Sequence, residues 1–103
     1  MHTEQLAKRI VAHRLRNHGL SQFQPWRVVA DEVGIKNTSL SRMRKTEEFF
    51  EAAKSRTKAR IDAFESAVGQ PPKYQMVYRF ISQAFGFDRE CIRSIIDECM
   101  RNA

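Results

Sequence analysis

Val29-Ala30-Asp31-Glu32-Val33-Gly34-Ile35-Lys36-Asn37-Thr38-Ser39-Leu40-Ser41-Arg42-Met43 is the stretch whose reading decides the fold. Val29 and Val33 are four apart, which places them on one face of a short helix. Gly34 interrupts that helix and tolerates the positive φ that a tight turn demands. Ala30 supplies a small residue where a second helix would cross the first. Ile35, Leu40 and Met43 then fill the wedge between the two helices. The stretch predicts two short helices packed steeply across a tight turn. Lys36, Asn37, Thr38, Ser39, Ser41, Arg42 and Lys45 give the second helix a polar, hydrogen-bonding face, with no acidic residue before Glu47.

Working outward, Pro25 suits the first turn of a helix because its missing N–H bonds nothing there. One helix is expected from near Pro25 to Val33, and the next from a cap at Asn37 or Thr38 to about Lys45. Upstream, Leu6, Ile10, Val11 and Leu15 predict a helix over residues 3–18, with Thr3 as its cap and Gly19 as its stop. Residues 20–24 read as a loop. Downstream, Thr46 caps a fourth helix whose Glu47 and Glu48 suit the positive end of its dipole. Phe50, Ala53, Thr57, Ile61, Phe64 and Val68 form its apolar stripe. Gly69 and Gln70-Pro71-Pro72 break the chain, and residues 74–84 and 89–101 read as two more helices. The expected fold is all-α with five to six helices. Residues 1–68 would form the N-terminal domain, 69–73 a linker, and 74–103 a C-terminal helical hairpin with a structural or dimerisation role.

Composition agrees with this. The 103 residues contain four Gly and three Pro, too few for a turn-rich sheet protein. Hydrophobic residues make up 42% and charged residues 29%, a globular mix rather than a disordered one. The net charge is +6, and all of the excess lies in residues 1–45. A basic half of this kind suits a polyanionic partner, because each phosphate contact releases counterions. Cys91 and Cys99, about 12 Å apart along a helix, cannot pair with each other. They read as buried, reduced thiols of a cytoplasmic protein. No Cys-x-x-Cys spacing supports zinc, and no apolar run is long enough to span a bilayer. His2, His13 and His18 read as surface residues, since His13 and His18 are five apart rather than at the helical metal spacing. No phosphate loop, nucleophile elbow or metalloprotease motif occurs, so neither enzyme chemistry, cofactor nor metal is expected. Nothing in the sequence marks a small-molecule pocket.

At residues 29–43 the chain resembles the helix-turn-helix superfamily of bacterial and phage DNA-binding regulators. The resemblance implies that the second helix lies in the major groove of double-stranded DNA. Asn37, Thr38, Ser41 and Arg42 would face base edges, with Ser39 on the same helix. Arg27, Lys36, Arg44 and Lys45, and Trp26 beside them, would be placed near phosphates. Trp26 also reads as a buried anchor behind the motif. A homodimer is expected, because one such module reads only a short half-site.

The pattern returns 52 residues later. Ile81, Ser82, Phe85, Gly86, Phe87, Ile92 and Ile95 align with Val29, Ala30, Val33, Gly34, Ile35, Leu40 and Met43. Arg60-Ile61-Asp62-Ala63 likewise resembles Arg9-Ile10-Val11-Ala12. Two such motifs, the second with Gly86-Phe87 in its turn, are similar to the paired helix-turn-helices of AraC-type activators. Four acids and three bases between Asp88 and Arg101 argue against DNA binding by the second copy. Ile92, Ile95, Ile96, Cys99 and Met100 read instead as a packing stripe, and residues 74–101 as a structural or protein-contact module. Glu47-Glu48-Phe49-Phe50 after the first motif is similar to phage small terminase subunits, which would imply a DNA-packaging adaptor. A helical protein–protein adaptor that binds no DNA is the third class.

Overall fold

A computed structural model describes residues 2–16 and 23–100, His2 by its backbone alone. The fold is all-α, with six helices and no strand among the described residues. They are α1 (His2–Arg16), α2 (Trp26–Val33), α3 (Asn37–Met43), α4 (Glu47–Val68), α5 (Tyr74–Phe85) and α6 (Arg89–Met100). The expected stop at Gly19, the side chains of His2 and His18, the loop residues 20–22 and Arg101 lie outside the described residues.

The chain divides into two compact units, residues 1–53 and 54–103. The sequence-based boundary at residues 69–73 is thereby displaced into the middle of α4. The physical reason is that the second half of α4 belongs with α5 and α6. Lys54 pairs with Glu98 at 2.9 Å, Arg60 lies over the Phe80 ring, and the Cys99 thiol donates to the Lys54 carbonyl at 3.7 Å.

In the first unit α2 packs against both α1 and α3. Ala7, Ile10 and Val11 of α1, Val29 and Ala30 of α2, and Leu40 of α3 are all buried, as is Phe49 at the start of α4. In the second unit α5 packs on α6. Val77, Ile81, Ala84 and Phe85 are buried there, together with the expected stripe Ile92, Ile95, Ile96 and Cys99; Met100 is half-buried.

Several helix ends differ from the sequence reading. Thr3 lies inside α1, which begins at His2, so it is not a cap. Asn37 and Thr38 are the first residues of α3 rather than its caps. Lys36, in extended conformation, occupies the cap position without a side-chain bond. Thr46 does cap α4: its hydroxyl accepts the Phe49 N–H at 3.2 Å and donates to the Met43 carbonyl at 2.7 Å. The α4 stripe is buried at Ala53, Thr57 and Ile61, half-buried at Phe50 and Phe64, and ends in an exposed Val68. No helix among the described residues is long and apolar enough to cross a membrane.

Candidate nucleic-acid interface

The geometry of the α2–α3 corner follows from local bonding. The Pro25 carbonyl accepts the N–H groups of Val28 and Val29 at 3.0 and 3.2 Å, which starts α2. Gly34 ends it in the left-handed region, at φ 93° and ψ 31°. The Ala30 carbonyl then takes both the Gly34 and the Ile35 N–H, at 2.9 and 3.0 Å. This satisfies a helix-terminal carbonyl and turns the chain sharply. Arg9 on α1 donates through Nη2 to the Val33 carbonyl at 2.9 Å, serving another group left open by the helix end. The chain passes through extended Lys36 and re-enters helix at Asn37.

Leu40 and Met43 are buried against the corner, at 1% and 8% exposure. The turn and these two anchors fix the rotation of α3. Asn37, Thr38, Ser39, Ser41 and Arg42 are exposed as a result, and so are Arg27, Lys36 and Lys45. Residues 37 and 41 are one four-residue step apart, and 38 and 42 adjoin them, so one face of α3 gathers these four. The helix ends at Met43 rather than near Lys45, which lies in the turn that follows. Residues 36–46 carry no carboxylate. The carboxylate of Glu32 on α2 is engaged toward α1, meeting His13 Nε2 at 2.8 Å and the Gln24 amide at 3.3 Å. His13 is consequently mostly covered rather than a surface residue. Its side chain retains 14% exposure where it joins α1 to α2.

Arg44, which the resemblance places near phosphates, is half-buried. Its guanidinium carbon lies 4.1 Å from the Trp26 ring centroid, and Arg14 from α1 stacks on the same indole at 4.0 Å. The Arg44 Nε is buried with no hydrogen-bond partner among the described residues. Trp26 is half-buried and meets Phe49 edge-on, with centroids 6.3 Å apart, so it is an anchor behind the motif. Arg14 retains only 6% exposure, donates to the Gln24 carbonyl, and lies 4.9 Å from the Phe23 ring. Burial, reinforced by the nearby Arg44 charge, pulls the Arg14 pKa down to about 10. Burial also lowers the Arg44 pKa. Sequence periodicity placed Arg14 on a solvent face and gave no signal for this stack. Arg9 was missed for the same reason.

The second unit repeats the corner. Gly86 is left-handed at φ 72°, and its N–H bonds the Ser82 carbonyl, as Gly34 bonds Ala30. Each following helix begins three residues after its glycine. Ile92 and Ile95 are buried where Leu40 and Met43 are. The exposed side differs in chemistry. Asp88, matching Lys36, accepts the Cys91 N–H at 3.0 Å at the head of α6. That bond, with the side-chain contact to Cys91, holds its carboxyl below the ordinary value. Cys91 is half-buried and Cys99 buried; both are free thiols, pushed up in pKa chiefly by burial. Among the described residues no cluster of three metal-ligating side chains occurs.

No family model, curated protein or solved structure matches the chain.

Proposed function

We propose that this protein binds double-stranded DNA sequence-specifically and regulates transcription, with α3 in the major groove. The observation that carries the reading is the fixed rotation of α3. Leu40 and Met43 face inward, so Asn37, Thr38, Ser39, Ser41 and Arg42 face outward together, in a segment free of carboxylates. Asn37 has the amide geometry for adenine, and Arg42 the fork that suits the O6 and N7 of guanine. Thr38 and Ser41 add hydroxyls that bond either partner, and Ser39 lies beside them. Arg27, Lys36 and Lys45, exposed around the same corner, are assigned to phosphates. Arg44 is assigned to the stack on Trp26, where it stiffens the base of α3. Two copies on a two-fold site would double the short half-site of one corner.

The test is selection of bound duplexes from a random pool, at two salt concentrations, by the wild type and by Arg42→Ala. A shared sequence that Arg42→Ala loses or relaxes is the expected result. Salt-dependent binding without a shared sequence would replace regulation by packaging or architecture. Absence of binding at low salt would end the DNA reading. Sedimentation of the free protein and of its complex separates a dimer from a ring.

A further inference from the structure

The second unit contains a cavity of about 420 Å³ between residues 57–64 of α4 and residues 72–80, which include the first half of α5. Its walls are mainly apolar, with Ile61, Phe64, Met76, Val77 and Phe80 among the lining residues. Small-molecule sites typically enclose ~300–1,000 Å³ of mainly apolar space with a few placed polar groups. Arg60 is the one charged residue of this lining. Its guanidinium carbon lies 4.5 Å from the Phe80 ring centroid, which holds the cation against the cavity wall. Two of the three other cations of the same helix have carboxylate partners, Lys54 with Glu98 at 2.9 Å and Lys58 with Asp62 at 3.1 Å, while Arg56 does not line the cavity. Arg60 makes no ion pair among the described residues, although Asp62 is two positions away.

We propose that this cavity binds an apolar carboxylate, with the hydrocarbon chain among Ile61, Phe64, Val77 and Phe80 and the carboxylate on Arg60. An uncharged chain would gain the same burial but leave Arg60 unpaired. A cationic chain would add repulsion from Arg60. A guanidinium also presents parallel donors that match a carboxylate's two oxygens. The proposal does not depend on DNA binding by α3.

Calorimetric titration of the full chain with decanoate, decanol and decyltrimethylammonium tests it directly. Saturable decanoate binding is expected, roughly tenfold tighter than decanol, with the ammonium weakest. Arg60→Met, which keeps an apolar stem at an exposed position, should bring decanoate to the decanol level and leave decanol unchanged. Ala63→Trp, which places an indole in the lining, should weaken both, with circular dichroism confirming an intact helical fold. Equal affinity for decanoate and decanol, or full decanoate affinity in Arg60→Met, would overturn the proposal. Absence of saturable binding would overturn it too. So would a loss of binding as protein concentration rises in step with self-association, which would assign the cavity to a second copy.

Discussion

Replacing Gly34 by alanine should destabilise the first unit by about 1 kcal/mol, through backbone conformation alone. Gly34 sits at φ 93°, and a Cβ built there would meet nothing within 4 Å. Clash with distant atoms is therefore absent from the cost. What remains is the penalty of a left-handed conformation for an L-residue, ~1–2 kcal/mol. Alanine also narrows the unfolded ensemble, which returns ~0.4–1 kcal/mol. The difference centres near 1 kcal/mol, or roughly 4–8 °C in the midpoint of a small domain. Thermal unfolding followed by helical circular dichroism measures it. Gly34→Asn should lose less, because asparagine visits this region more readily. D-alanine at the same position, introduced by peptide ligation, should stabilise, since its chirality removes the penalty and keeps the entropic gain. Equal damage from L- and D-alanine would refute the reasoning and point to a close contact at the turn. An undiminished midpoint for Gly34→Ala would show that the turn is not held left-handed.

Lys36→Ala and Lys45→Ala should each reduce the slope of log affinity against log salt by about one on a selected duplex. Arg44→Met should leave that slope unchanged, because the guanidinium is spent on Trp26; anisotropy titrations across salt distinguish the two, and a slope reduced by one would return Arg44 to the phosphates. Asp88 predicts an acid limb of stability. Its folded pKa lies below the unfolded one, so its contribution is complete above the ordinary carboxylate value and disappears as pH falls through the folded value. Asp88→Ala should therefore show a shallower fall in urea midpoint between about pH 5 and 2 than the wild type, and an identical fall would discard the cap as its cause.

The α2–α3 corner was legible because every device in it is local. Ala30, Gly34, Leu40 and Met43 lie within fourteen positions, and their spacing alone sets which sides meet. Thr46 was legible as a cap for the same reason, since its partners are three residues away on either side. The stack of Arg14 and Arg44 on Trp26 was not, because it joins three segments through cation–π contacts that leave no periodic trace. Arg9 and His13 fall in this class, each bonded to a group 24 or 19 positions away. The division inside α4 was hidden by the helix itself, which carries no breaker at residues 53–54; the Pro71-Pro72 break marks a chain reversal within the second unit. The cavity beside Arg60 also escaped, because its lining residues match an ordinary core stripe and only packing shows that space is left between them.

The two units carry one framework, but the outer faces of their corners differ in charge, and that contrast bears on which corner suits a polyanion. Gly34 and Gly86 make the same left-handed turn, and Leu40 and Ile92 are equally buried behind it. At the matching exposed positions, however, Lys36 becomes Asp88, Thr38 becomes Glu90, Arg42 becomes Ser94 and Lys45 becomes Asp97, while Asn37 becomes Arg89 and Ser41 becomes Arg93. Three of these changes add negative charge and three remove positive charge, against two that add positive charge, on the side that a duplex would have to meet. Unit charges about 4 Å apart interact by ~1 kcal/mol in water and by several times that as water is excluded. Carboxylates at the head of α6 therefore penalise the close fit that a groove demands, while Lys36 at the equivalent point of α3 favours it. Framework conservation within the chain follows from packing, which is indifferent to the outer face. Under the proposed function, recognition falls on that outer face, which is basic in the first corner and mixed in charge in the second. The second unit's apolar side instead presents a cavity that Arg60 borders.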